Sequence, residues 1–299
     1  GNGSQNTAVG SYAMDAAVTG DYNTAIGRDS LGSLTSGAYC TGLGAYALWS
    51  NTTGEYNTAV GGNAMFDNTT GSYNVAMGHE ALANNTTASY NTAVGRYSMY
   101  SNTTGGDNTA VGYRALYSNT TAADCTAVGY KALDQNNANN CTAVGDNALS
   151  ANTTGDVNTA VGQRCLLSCT TGRINTAVGG NALDGLSTGE NNTAIGIDSG
   201  KDCTTGNNNV FLGYYAGRNQ GNSSSNLYVA RGSSGSGNAA VWIYGNSSGA
   251  CYQGNNSSTW STTSDIRLKK NIVDNSKGLT EINQIRVTNF EYKREDEID

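Results

Sequence analysis

The chain has 299 residues, no proline, 40 glycines and 18 tyrosines, and only 13% of it is charged. A net charge of −7 gives no basic footprint for nucleic acid, and no apolar run approaches the ~20 residues of a membrane span. Neither a nucleic-acid partner nor membrane insertion is expected. His79 is the one histidine and the seven cysteines form no CxxC motif, so no metal site and no cofactor are expected either.

Gly1 stands where an initiator Met would and no signal peptide follows, which reads as a fragment or a processed form. The pentapeptide Asn-Thr-Ala-Val-Gly, or a close variant, begins at Asn6, Asn23, Cys40, Asn57, Asn74, Asn91, Asn108, Cys125, Cys141, Asn158, Asn175, Asn192 and Asn209. Every step is 17 residues except one of 16, from Cys125 to Cys141. Length alone would suggest two domains, but so strict a period over residues 1–230 means one unit stacked on copies of itself.

With the Asn numbered 1, position 4 is aliphatic or Met, position 5 is glycine in all thirteen turns, and position 8 is small. Position 9 is Leu or Met until Gly200 and Gly217 replace it. Positions 12 to 15 often read Asn-Thr-Thr-Gly, a turn sequence. The pattern leaves no room for three helical turns, so the expected fold is all-β: a parallel β-solenoid of about thirteen turns with two short strands in each. Position 2 is Thr, replaced by Val75 and Val210, which suggests that positions 2 and 4 face the interior. The small residue at position 3 then faces outward, with something packed closely on it. The short step is expected to drop one residue from the loop after Leu133.

A coil of this kind buries about two large aliphatics per turn, a thin core. Position 3, or the face of positions 8 and 9, is therefore expected to pack against sister chains in a homotrimer. Tyr22, Tyr39, Tyr56, Tyr73 and Tyr90 share position 17 and predict a stacked ladder. Cys125 and Cys141 begin neighbouring turns and come within disulfide reach; free thiols in a ladder are the expected state. His79 falls at an exposed corner. The repeat resembles the head repeats of trimeric autotransporter adhesins and related repeats of phage and giant-virus fibres. That resemblance implies left-handed β-rolls packed side by side as a trimer.

Residues 231–263 are rich in Gly, Ser and Asn and carry Trp242, Tyr244, Tyr252 and Trp260. Val241 and Ile243 alternate with Trp242 and Tyr244, which predicts a strand. The four aromatics either fill a narrow trimer core or form a glycan-binding surface. From Ser264 the composition changes: 15 of the last 36 residues are charged, against 24 in the preceding 263. Residues 264–299 read as a third module.

The segment Ser264-Asp265-Ile266-Arg267-Leu268-Lys269-Lys270-Asn271-Ile272, with its continuation to Tyr292, resembles the opening of the self-cleaving intramolecular chaperone of phage tail fibres and endosialidases. A relative of that domain occurs in myelin regulatory factor. The family domain runs on further, so the segment reads as truncated at Asp299. The resemblance implies a Ser–Lys dyad. A serine hydroxyl needs a base, and a lysine serves when burial keeps it neutral. Ser264 would attack the carbonyl of Thr263 with Lys269 as base, cutting between Thr263 and Ser264 once per chain.

Together the repeat and the tail predict a virion tail fibre that reaches a host glycan or protein and contacts other virion proteins. A bacterial trimeric surface adhesin, an extracellular location, an ice-binding Thr ladder and a polysaccharide-degrading spike are the competing readings. The spike lacks a repeated carboxylate pair.

Overall fold

The chain divides into two compact units, Gly1–Thr259 and Trp260–Asp299. The computed structural model describes residues 2–218, 221–231 and 240–253, all in the first unit. Among them are thirteen three-residue strands, β1 (Thr7–Val9) to β13 (Val210–Leu212), one per repeat. They pair parallel and in register, with Thr7 opposite Thr24 and Thr193 opposite Val210. The result is an all-β solenoid, with no helix among the described residues. The short step does not disturb the register of β8 (Thr126–Val128) against β9 (Thr142–Val144). The missing residue comes out of the loop: Asn136 Nδ2 donates to the Ala138 carbonyl two residues on, whereas Asn119 reaches Ala122, three residues on.

The expectation of two strands per turn is corrected to one. Positions 7 and 9 have positive φ in nearly every turn, as at Arg114 (55°) and Leu116 (55°), and so does position 17, as at Tyr56 (56°). A chain that enters the left-handed region at alternate residues cannot extend as a strand. Each such residue costs roughly 1–2 kcal/mol in backbone strain. The rungs still bond to each other there: Leu116 N–H donates to Ala132 O and Tyr56 N–H to Ala38 O. The side of the coil lacking a formal strand is therefore as fully hydrogen-bonded between turns as the strand side.

The strand faces are the reverse of those expected. Position 3 points into the coil and is buried in every turn from Ala25 to Phe211, while positions 2 and 4 point outward. Thr alternates with Val at position 2 because both are β-branched residues suited to a half-exposed sheet face, not because the site is buried. Positions 8 and 9 are also internal, as at Ala115 and Leu116, so neither they nor position 3 are free to pack against another chain. Most turns thus bury one large apolar side chain, at position 9; Leu34 and Leu186 add a second at position 12 in their turns.

Glycine at position 5 is required twice over. Gly112 has φ +137°, and a Cβ there would lie 2.3 Å from the carbonyl oxygen of Gly129 in the next rung. Turns meet backbone to backbone at this corner, and no side chain fits.

The regular coil ends in an antiparallel cap. Strand β14 (Leu227–Arg231) pairs parallel with β13 and antiparallel with β15 (Ala240–Gly245), which pairs with β16 (Cys251–Gln253).

Candidate functional site

The strands carry the first candidate surface. Position 4 presents Val9, Ile26, Leu43, Met77, Val111, Val144, Val178 and Ile195 as exposed side chains, with half-buried Val60, Val94, Val128, Val161 and Leu212 between them. In-register pairing lines these thirteen aliphatics into one column, with the Thr column of position 2 beside it. A contiguous apolar stripe of that length is unusual on a surface left open to water.

Position 17 carries the second. The rings of Tyr22, Tyr39, Tyr56 and Tyr73 stack at 4.9 Å per step with planes within 10°, and Tyr90 follows at 5.1 Å. The expected ladder is present, and all five rings are exposed. Each tyrosine sits in the left-handed region, where its N–H is held by the rung before it. That fixed backbone sets the ring spacing.

Positions 6, 7 and 10 form a third face that sequence reading passed over. Trp49 stacks on Phe66 at 5.0 Å, Tyr100 on Tyr117 at 5.4 Å and Tyr113 on Tyr130 at 5.5 Å. Arg114 lies 4.2 Å above the Tyr117 ring and pairs with Asp134 at 3.0 Å. Burial and the nearby Glu80 carboxylate push the Tyr100 phenol up. The aromatic recurrence at 17-residue spacing was the signal available for this face.

Of the connector aromatics, Tyr244 and Tyr252 are brought together, and Trp242 is set apart from them. Phe211, Tyr228, Tyr244 and Tyr252 form a stack with steps of 5.7, 5.0 and 6.2 Å that continues the core into the cap. Burial pushes the Tyr228 phenol up. Trp242 departs from that stack because the ladder shifts there: Val229 faces Ile243 and Ala230 faces Val241. Such a bulge re-aims the extra residue, and Trp242 ends 60% exposed while Val241 and Tyr244 pack on the core. Trp260, Thr263, Ser264 and Lys269 lie outside the described residues.

The seven cysteines are free thiols, six of them buried and Cys251 exposed. Cys125 and Cys141 occupy adjacent rungs without a disulfide. His79 is exposed, its Nδ1 3.7 Å from Glu80 Oε1.

Comparison with known proteins is informative at the C-terminus alone. No curated protein and no solved structure matches the chain. Residues 264–299 match the family model described as chaperone of endosialidase, so the β-solenoid leads into a segment similar to that chaperone.

Proposed function

We propose that this chain is the shaft of a homotrimeric fibre of a phage or virus tail, which attaches to a host surface. Residues 264–299 open a chaperone that guides the three chains together. The observation that carries this reading is the outward column of thirteen aliphatics. A closed cyclic oligomer gives each copy the same surroundings, and a threefold bundle covers one stripe per chain at its axis. The C-terminal match supplies the reason for three, because the chaperone family implies trimeric self-association. Light scattering on the purified chain tests it: three times the chain mass is expected, and a stable monomer overturns it.

Self-cleavage belongs to the same proposal. Lys269 takes the Ser264 hydroxyl proton as the oxygen attacks the Thr263 carbonyl carbon. The carbon–nitrogen bond breaks, Lys269 returns the proton to the leaving Ser264 nitrogen, and water hydrolyses the resulting ester. Intact mass gives the readout. A product ending at Thr263, absent from a Ser264→Ala variant, is expected; a parent chain that keeps its full uncut mass, or a variant that is cut as the parent is, overturns it.

A second reading draws on the same strands. The Thr column faces outward in regular register, as an ice-binding surface requires. A trimer that covers the face gives no thermal hysteresis, whereas hysteresis from a monomer favours ice binding.

A further inference from the structure

Position 10 runs Trp49, Phe66, Ala83, Tyr100 and Tyr117 through five successive turns. Two aromatic stacks flank Ala83, which is 4% exposed and puts a methyl group where the turns on either side put a ring. The gap opens into a cavity of about 530 Å³, with Trp49 and Phe66 before it and Tyr100 after it. Rings one turn apart on this coil stack at 4.9 Å in the tyrosine ladder, so the empty rung admits one further six-membered ring with contact on both faces. Glu80, Asn63 and Asn84 also line the cavity, and no Lys or Arg does. The Glu80 side chain keeps 24% of its exposure, so its carboxylate is available to an occupant. None of the lining residues belongs to a strand, so the site does not draw on the proposed assembly column. Aromatic walls with a few convergent polar groups are the usual make-up of a small-ligand site.

We propose that the empty rung over Ala83 binds one neutral or amino-substituted pyranose of a surface glycan. The apolar faces of the sugar stack against Phe66 and Tyr100. Its hydroxyl or ammonium edge bonds to the Glu80 carboxylate and to the amides of Asn63 and Asn84. An acidic sugar is disfavoured, because Glu80 faces it and the chain carries a net charge of −7. The same repulsion excludes the phosphates of a nucleotide. This identifies a class of receptor for the host-attachment reading and rests on that reading for its biological meaning.

The test is binding of the full chain to a panel of immobilised neutral, amino-bearing and sialylated oligosaccharides, with oligomeric mass measured on the same preparation. Binding to neutral or amino-bearing members is expected. Ala83→Tyr completes the aromatic column with a residue type that the position already holds at Tyr100 and Tyr117; because Ala83 is 4% exposed, a thermal melt matching the parent's is required of the variant before its binding is read. The substitution is expected to lower binding at least tenfold. Glu80→Gln is expected to weaken amino-sugar binding by about tenfold and neutral-sugar binding less. Unchanged binding by Ala83→Tyr, a preference for sialylated members or a silent panel each overturns the site. A trimer that binds no saccharide overturns the groove and leaves the fibre standing. A monomer that binds through Ala83 supports the groove and overturns the fibre.

Discussion

Asn57 shows how one residue holds a rung in place. Its Nδ2 donates to the Gly71 carbonyl at 2.7 Å, and its Oδ1 accepts from the Asn74 N–H at 2.9 Å. Both bonds are buried; the first closes the turn that Asn57 opens and the second ties it to the next turn. A second buried column at position 12 does the same, with Asn68 Nδ2 donating to Asn51 Oδ1 and to Gly71 O. Where Cys169 takes the next place in that column, Asn152 Oδ1 is left without a partner. Cysteine substitutes at position 1 because its thiol can still donate, as Cys40 Sγ does to Gly54 O. Burial pushes Cys40 and Cys169 up to about 11 and Cys165 up to about 12. An unfolded thiol ionises near pH 8.5–9, so the folded state holds its protons to higher pH than the unfolded state does. The stability contributed by these buried thiols is complete below about pH 9 and falls as pH rises towards about 11. Cys40→Asn installs the usual residue of the column and is expected to remove on the order of 2 kcal/mol of that alkaline loss. Urea unfolding of both proteins across pH 8 to 11 measures it; parallel curves would show that Cys40 contributes nothing.

At the scale of the element, one exchange reveals how the core is built. Phe211 replaces the usual Ala at position 3 where Gly200 and Gly217 replace Leu at position 9. A Cβ on Gly217 would lie 2.0 Å from the Phe211 ring, and one on Gly200 would lie 2.6 Å from it. The ring fills the volume that two leucines vacate. Phe211→Ala is expected to cost about 3–5 kcal/mol through the cavity it leaves. Adding Gly200→Leu restores the ordinary turn, since Gly200 has φ +60° and Leu183 already holds φ 50° at the equivalent place. The double variant is expected to be more stable than Phe211→Ala alone in thermal melts; additive losses would mean that the two positions do not share a space. This exchange was also the sequence cue to which strand face points inward. The period, the glycine corner and the apolar position 9 were all legible. Strand polarity was not, because a Thr-to-Val exchange is compatible with burial and with half-exposure alike. The second strand was lost for a different reason. Left-handed residues at positions 7, 9 and 17 include Leu, Tyr and Arg, which carry no composition signal for that conformation. The connector was misleading in its own way, because a bulge at Trp242 breaks the alternation that residues 241–244 display. The chaperone resemblance needed no fold at all, only a contiguous string of residues.

For the whole molecule, the question is what covers the aliphatic column. The interior of the coil is already filled by positions 3, 8 and 9, so a charge placed at position 4 disturbs no packing within the chain. Val111 and Val144 are both exposed there, in separate strands. Val111→Lys with Val144→Lys is therefore expected to change the stability of an isolated coil by no more than about 0.5 kcal/mol per site. In a trimer the same lysines bring like charges from three chains into a desolvated seam, where unpaired charge is strongly unfavourable. The double variant is expected to keep the far-ultraviolet circular dichroism of the parent while its mass by light scattering falls to one chain. Leu116→Lys, inside the core, is expected to abolish the folded signal itself, which separates loss of assembly from loss of fold. A Val111→Lys/Val144→Lys chain that remains trimeric would move the seam elsewhere on the coil. The tyrosine ladder at position 17 is the next stripe to test, because it adds five exposed apolar rings in register.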